Sequence, residues 1–546
     1  MASAGEGVSR FKVERLKPFN DRGEFQRTNR SEGLRRVAVR SAGITLLGRS
    51  ISFLVQLGST MVLARLLPPS DFGVVTMVTT FSFLFSSFGM NGFPELIMQR
   101  EEITDSLASN LFWINLSIGC LLALVFANTG PLIGSFYHNT DVARVAEGMS
   151  IGIAIGSAGW IHYGLLQRAM RFRALAIIGF TGSIIQVIVY IALAKAQWHF
   201  WALVCGSIAN TSTITIGVWL VCRWLPSWPS RSRGTASSFK YAMNVYWHFA
   251  FSYLTRNTDN LLVGWRYGAR ALGLYKKAYD LFVLAETQLM GPISAVAVST
   301  LSKVNQDREQ FQRYFLRAIS VLALIGMGIG TDFALVGKDI IRFLLGPAWD
   351  QAGQIFSLFG PGIGAMLLYD SHGWIHLSLG RPERWFRWAL IEFVCTAGLF
   401  LLTIRWGPTG IAFAWTASYF LLMFPSFWYA GKPIGLGAGP VFGAVWKFMA
   451  ASIAAGCVTA LIFQGVLHLE MPLSAAGALL RLASVSLVFF VLYLCGIIAF
   501  YRGPEPIYLT IRLLSDVLPE SIVRIAFPAT NDAQETTIHA LREEAK

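Results

Sequence analysis

The stretch QLGSTMVLARLLPPSDFG, residues 56–73, returns two hundred residues later as RNTDNLLVGWRYGARALG, residues 256–273. In each copy an apolar run (61–64 and 261–264) meets an Arg-bearing turn. The turn closes on a Gly, Gly73 or Gly273, and a second largely apolar run follows (74–85 and 274–284). The match is loose: Val62 faces Leu262 and Leu63 faces Val263, but Arg65 faces Trp265. Duplication reports how a fold is assembled. In membrane carriers two such halves enclose the substrate path.

A content of 54% hydrophobic and 14% charged residues over 546, with a mean hydropathy of +0.52, excludes an ordinary soluble protein and places the chain in a membrane. Residues 1–40 hold ten Lys or Arg against five acids. So polar a segment buries no core, and it reads as a disordered basic cytoplasmic tail facing anionic lipid. From residue 41 on, apolar runs of bilayer-spanning length follow one another, and we count fourteen spans. This predicts an all-α polytopic membrane protein with two six-span lobes, 41–224 and 239–430, joined by a linker at 225–238. Two further spans occupy 440–500. The linker, LPSWPSRSRGTASS, reads as a hinge. After the last span, 501–546 reads as an amphipathic cytoplasmic helix and tail.

Lys and Arg concentrate in alternate loops, which predicts that both termini are cytoplasmic. One cluster, Arg266, Arg270, Lys276 and Lys277, falls on the outer side against that rule. The net charge of +14 is therefore topological, and no nucleic-acid partner is implied. The six cysteines sit inside apolar runs with no CxxC and no His at ligand spacing, so they read as inert, with no metal or cofactor expected.

Ionisable groups inside spans are costly and face a bundle interior or a wet cavity. Arg49 and Arg256 are the cationic candidates for holding substrate, one in the first span of each lobe. Asp259 lies three residues from Arg256 and shares its face. Asp280 and Glu286 are candidates for ion coupling, with Asp280 close enough to the outer surface for simple solvation. His372 and His376 stand at i and i+4, a spacing that binds metal or relays protons, but near a helix end that favours an interface. FGMNGFP at 88–94 interrupts one span beside Asn91, and Gly291 with Pro292 is expected to break the eighth span likewise. No Walker loop, GxSxG, HExxH or acidic motif in a soluble domain is present, so the reading is a transporter and not an enzyme.

LARLLPPSDFG at 63–73, LIMQREEITDSLASNLFWINLSIG at 96–119, LLQRAMRFRALA at 165–176, TRNTDNLLVG at 255–264, ALGLYKKAYDL at 271–281, GPISAVAVSTLSKVNQD at 291–307 and LGRPERWFRWAL at 379–390 together carry a family resemblance. The chain resembles the polysaccharide exporters of the oligosaccharide-lipid flippase branch of the multidrug, oligosaccharidyl-lipid and polysaccharide (MOP) superfamily. That resemblance implies lobes related by an approximate twofold axis, a bacterial inner-membrane location, and a substrate carried on undecaprenyl diphosphate as a lipid-linked oligosaccharide. It points to a polysaccharide polymerase and export machinery as partners, besides membrane lipids. Pro94 and Glu95 depart from the small apolar residues usual there. An ion-coupled exporter of cationic drugs would show a cavity dominated by acids. A membrane-embedded polymerase or scaffold would need catalytic groups in a large polar loop, and the loops here are short.

Overall fold

In the computed structural model, residues 16–25, 54–100, 102–230, 235–463 and 475–517 are described; Arg49, the rest of the tail, residues 231–234 of the linker and residues 518–546 lie outside them. Helices account for nearly everything described, with only isolated β-bridges beside them. Nine helices among the described residues are long and apolar enough to cross a membrane, or ten when a bent pair counts as one span. The protein is thus an all-helical, multi-pass membrane protein.

The chain divides into two compact units, one of 1–281, 340–355 and 395–414, the other of 282–339, 356–394 and 415–546. The first contains α1 (Leu54–Leu66), α2 (Pro69–Met90), α3 (Phe93–Gln99), α4 (Asp105–Tyr137), α5 (Asp141–Ser157), α6 (Trp160–Arg168), α7 (Phe172–Lys195), α8 (Phe200–Val221) and most of α9 (Thr235–Lys303). Pro68 and Pro69 end α1 and begin α2, since Pro cannot continue a helix yet suits its first turn. Asp71 then sits in that first turn, where the helix dipole favours a carboxylate.

α9 is too long to be one span and is not one rod. Gly268 takes φ 77°, ψ −176°, outside helical space. A Cβ on Gly264 would stand 3.1 Å from the Leu272 side chain, and the Tyr275 hydroxyl donates to Asp259 Oδ2 at 2.6 Å. Sixteen residues of straight helix would hold those two groups about 24 Å apart. The chain therefore doubles back at Gly268 into two arms, which correspond to the seventh and eighth spans of the sequence reading. The break expected at Gly291 and Pro292 does not form, because the second arm stays helical there. A residue free to adopt positive φ stands at 268 and makes the corner there instead.

The duplicated turns meet one another. A Cβ on Gly73 would fall 1.7 Å from the Ala269 carbonyl oxygen, and one on Gly273 would fall 1.9 Å from that of Pro69. Each copy thus presses its Gly against the backbone of the other, and only hydrogen fits. Trp349 seals this corner, donating from Nε1 to Ala64 O at 2.8 Å and packing edge-on to Phe72.

The expected break at 88–94 does form: α2 ends at Met90, Gly92 takes φ 107°, and α3 begins at Phe93. Pro94 occupies the opening turn of α3, and the Glu95 carboxylate accepts from Gly92 N at 2.6 Å. Both departures from the family pattern are therefore local start signals.

The tail corrects a second expectation. Residues 16–25 are not disordered but pack on this unit: Leu16 pairs with α8's end through Leu16 N to Val221 O and Arg223 N to Leu16 O. Asp105 N donates to Gly23 O, and Phe19 packs on Trp224. Leu16, Phe19 and Phe25 supply the apolar side chains that a net charge count hides. The linker begins equally bound. Trp224 Nε1 and Ser227 Oγ donate to the Asp105 carboxylate, Ser230 and Asn110 exchange two bonds, and Trp113 stacks on Trp228.

The second unit packs α10 (Arg308–Leu345) on α11 (Asp350–Asp370) through Gly326 and Gly330 facing Gly360 and Gly364. A Cβ on Gly364 would lie 2.7 Å from Gly326 O, the close approach that small residues four apart permit in membranes. α12 (His372–Ser378), α13 (Pro382–Thr403), α14 (Gly407–Gly431), α15 (Ala438–Leu461), α16 (Ala475–Tyr501) and the amphipathic α17 (Glu505–Val517) follow along the chain, the end of α13 and the start of α14 (395–414) belonging to the first unit.

Gly73→Ala should cost at least about 3 kcal/mol, since the clash is with backbone that cannot yield. Gly58→Ala, with open space around it, should be neutral or slightly stabilising in a helix. Thermal unfolding of the detergent-solubilised variants checks both. Equal midpoints for the two would refute the contact.

Candidate functional site

Three helices of the first unit repeat one spacing. Gln56, Ser59, Thr60 and Leu63 on α1, Phe72, Val75, Thr76 and Thr79 on α2, and Ser183, Gln186, Val187 and Tyr190 on α7 each fall at i, i+3, i+4, i+7. That spacing is one helix face. The three faces converge, with Ser207 of α8, on a cavity of about 480 Å³. Polar groups on so many lining positions would be costly against lipid, so the faces turn toward one another.

The hydroxyl and amide groups are held in place. Gln186 Nε2 donates to the Tyr190 hydroxyl at 2.7 Å, and that hydroxyl lies 3.2 Å from Ser207 Oγ. Tyr190 lies flat on Gly206, where a Cβ would stand 2.1 Å from its ring. Thr76 donates to Phe72 O and Ser183 to Gly179 O, which leaves their oxygen lone pairs as acceptors.

Charge enters from the second arm of α9. Lys276 Nζ donates to Asp280 Oδ1 at 2.6 Å, and Lys277 Nζ lies 3.9 Å from Oδ2. An acid four residues beyond one lysine and three beyond the next is reached by both. Lys277 also lies over the Phe72 ring, 4.7 Å from its centre. Two ammonium groups thus share one carboxylate at the wall of a polar cavity. The excess positive charge, backed by hydroxyl and amide groups, suits an anion carrying polar substituents.

The sequence-named candidates distribute differently from the expectation. Asp280 does line this cavity, but as the counter-charge of two lysines, which corrects the reading of a merely solvated acid. Asp259 is buried beneath the α9 corner, accepting from Tyr275, and is not a lining residue. Arg256 is exposed on the first arm and does not line the cavity either. Asn91 ends α2, donating to Ser87 O, and is likewise not a lining residue. Glu286 lies half-buried in the other unit. Arg49 lies outside the described residues. Lys276 and Lys277 were legible only as half of a positive cluster on the wrong side of the membrane.

His372 and His376 are buried in the second unit, 3% and 2% exposed. Tyr369 of α11, Trp388 of α13 and Tyr429 of α14 pack against them. Among the described residues no group of three or more His, Cys, Asp or Glu gathers as metal ligands.

A family model described as "Polysaccharide biosynthesis protein" matches residues 62–354. The chain is 24% identical over 326 residues to the teichuronic acid biosynthesis protein TuaB of Bacillus subtilis, covering 58% of this chain and 67% of that one. It is 22% identical to the lipopolysaccharide biosynthesis protein WzxC of Escherichia coli (56% and 65% covered) and 21% identical to the succinoglycan biosynthesis transport protein ExoT of Rhizobium meliloti (66% and 74%). The chain thus spans about two thirds to three quarters of these relatives. Its fold is shared with the lipid II flippase MurJ in an inward closed conformation, at a TM-score of 0.67, 14% identity and 84% and 99% of the two chains. An inward-facing multidrug transporter of the MOP superfamily follows at 0.55, 13% identity and 70% and 94%.

Asp280→Asn should destabilise the first unit by about 1 kcal/mol, a small figure because the carboxylate is 43% exposed. The Lys276→Met, Asp280→Asn double variant should recover most of the loss. Thermal unfolding as a double-mutant cycle measures it, and a coupling of zero would mean that the close contact contributes nothing.

Proposed function

Because the chain belongs to the polysaccharide biosynthesis protein family, we propose that it is a flippase that moves an oligosaccharide repeat unit on undecaprenyl diphosphate across the bacterial inner membrane. The observation that carries this reading is the polar cavity with two lysines against one carboxylate, within a membrane-embedded unit. A lipid diphosphate bears charge that cannot cross hydrocarbon unaided. Lys276 and Lys277 offer that charge a partner, and the Ser, Thr, Gln and Tyr groups around them offer hydrogen bonds to sugar hydroxyls. A cationic drug would meet excess charge of its own sign, which weighs against the multidrug reading. The chemistry asked of the protein is binding and passage, with no bond made or broken.

The reading extends to fourteen spans in two pseudo-twofold lobes, 41–224 and 239–430, with two further spans and both termini in the cytoplasm. Arg49 and Arg256 are proposed as further cations met by the carrier along its path. A polysaccharide polymerase and export machinery are proposed as the partners that receive the product.

In a strain lacking the gene, a lipid-linked oligosaccharide should accumulate in the inner leaflet. Restoring the wild-type chain should clear it, and the Lys276→Gln, Lys277→Gln double variant should not, although it inserts normally. Clearance by that variant at the wild-type rate would remove the lysines from the site. Absence of any accumulated lipid-linked intermediate in the deletion strain would refute the flippase reading itself. Reporter fusions at residue 546 should report the cytoplasm; an external signal would rule out the even-span topology.

A further inference from the structure

The charged trio at the cavity wall is graded in depth. The Asp280 side chain is 43% exposed, that of Lys276 27% and that of Lys277 18%. The carboxylate is thus the member that water reaches most, and the ammonium groups lie behind it. An anion arriving through the cavity meets Asp280 before it meets either lysine. The same carboxylate holds both of them, with Lys276 Nζ 2.6 Å from Oδ1 and Lys277 Nζ 3.9 Å from Oδ2.

The balance of charge decides what the lysines can hold. With Asp280 in place, two ammonium groups and one carboxylate leave a net charge of +1. A diphosphate esterified at both ends carries two negative charges, which the lysines match only once the carboxylate has left. Neither lysine is stranded by that departure. Lys276 Nζ also lies 5.4 Å from the centre of the Tyr279 ring and Lys277 Nζ 4.7 Å from that of Phe72, so each keeps an aromatic face as a partner. The carboxylate, already partly in water, exchanges its ammonium partners for solvent at little cost. It also stays close, because it stands on the same helical arm as both lysines, four residues from one and three from the other.

We propose that Asp280 is a built-in competitor for the phosphates of the carrier lipid, displaced from Lys276 and Lys277 when the diphosphate binds and returning to them to expel it. Passage across a membrane needs binding firm enough for entry and weak enough for departure. A carboxylate tethered one helical turn from the lysines meets the second requirement without a separate release site. No covalent bond changes; one ion pair is exchanged for another. The inference rests on the flippase reading above and adds to it the release step, which the lysines alone would oppose.

The probe is inorganic pyrophosphate, titrated calorimetrically into the purified full chain in detergent. The wild type should bind it, and the Lys276→Gln, Lys277→Gln double variant should not. Asp280→Asn should bind it about fivefold tighter, the weight of a partly exposed ion pair. In the deletion strain the same variant should clear the lipid-linked oligosaccharide more slowly than the wild type does. Asp280→Glu, whose carboxylate still reaches Lys276, should bind pyrophosphate as the wild type does. A carboxylate that merely holds the lysines in place predicts the opposite sign, because loosened lysines grip an anion less well. Equal or weaker binding by Asp280→Asn, or clearance at the wild-type rate, therefore overturns the inference and leaves the flippase reading intact. A wild type that binds no pyrophosphate overturns the lysine site and the inference together, while accumulation in the deletion strain still decides whether the protein is a flippase. Should Asp280→Asn fail to insert, the wild type decides by itself. A water-soluble carbodiimide joins a paired ammonium and carboxylate into an amide, read by mass spectrometry as the loss of one water from the peptide. Saturating pyrophosphate should suppress the Lys276–Asp280 amide relative to labelling of exposed carboxylates elsewhere, and an undiminished yield overturns the proposal.

Discussion

The contact of the two duplicated turns, glycine hydrogen against carbonyl oxygen in both directions, is the constraint on which the first unit depends. It sets the second arm of α9 against the start of α2 at the distance of touching backbones. Lys276 and Lys277 stand one turn beyond Gly273, so whatever fixes that glycine also fixes where two charges enter. A larger residue at either position would push the arm out by more than an ångström and move the ammonium groups off the wall formed by α1, α2 and α7. The duplication is thus a packing device as well as a trace of assembly.

Around that contact the unit solves a problem of cost. Charged and hydrogen-bonding groups lose several kcal/mol in hydrocarbon unless they find partners. Here three helices turn their polar stripes inward at the same spacing, and the lysines enter already sharing a carboxylate. The sharing is unequal, two charges to one, so attraction for an anion survives the pairing. Buried Asp259 is satisfied differently, by a tyrosine across the Gly268 corner, and it serves the bend of the chain and not the cavity.

The part of the first unit around α4's first turn is fastened by polar bonds of another kind. Tail residues 16–25 and the start of the linker both close on Asp105 and its neighbours, with Trp224 donating to the carboxylate and packing against Phe19. Arg168 adds to this, donating to the carbonyls of Ile97 in α3 and of Arg100 just past its end while lying over Phe25. Segments that composition marks as free are therefore parts of the folded unit.

Much of this was legible in the residues alone. Apolar runs of membrane length, the inserted break at Gly92, the duplicated glycines and the family resemblance all follow from local chemistry, because span length and helix breaking depend on a few neighbouring residues. The charged site was legible only as an anomaly, a basic cluster on the wrong side of the membrane. Arg256 and Asp259 looked like a cavity pair because three residues on a helix share a face, but which face meets water depends on the corner at Gly268, which no periodicity reveals. His372 and His376 stand near a helix end, and only the return of α13 and α14 over α12 encloses them. Hydrophobic length determines that a segment spans; the tertiary structure decides what each span faces, because that depends on contacts between residues far apart in the chain.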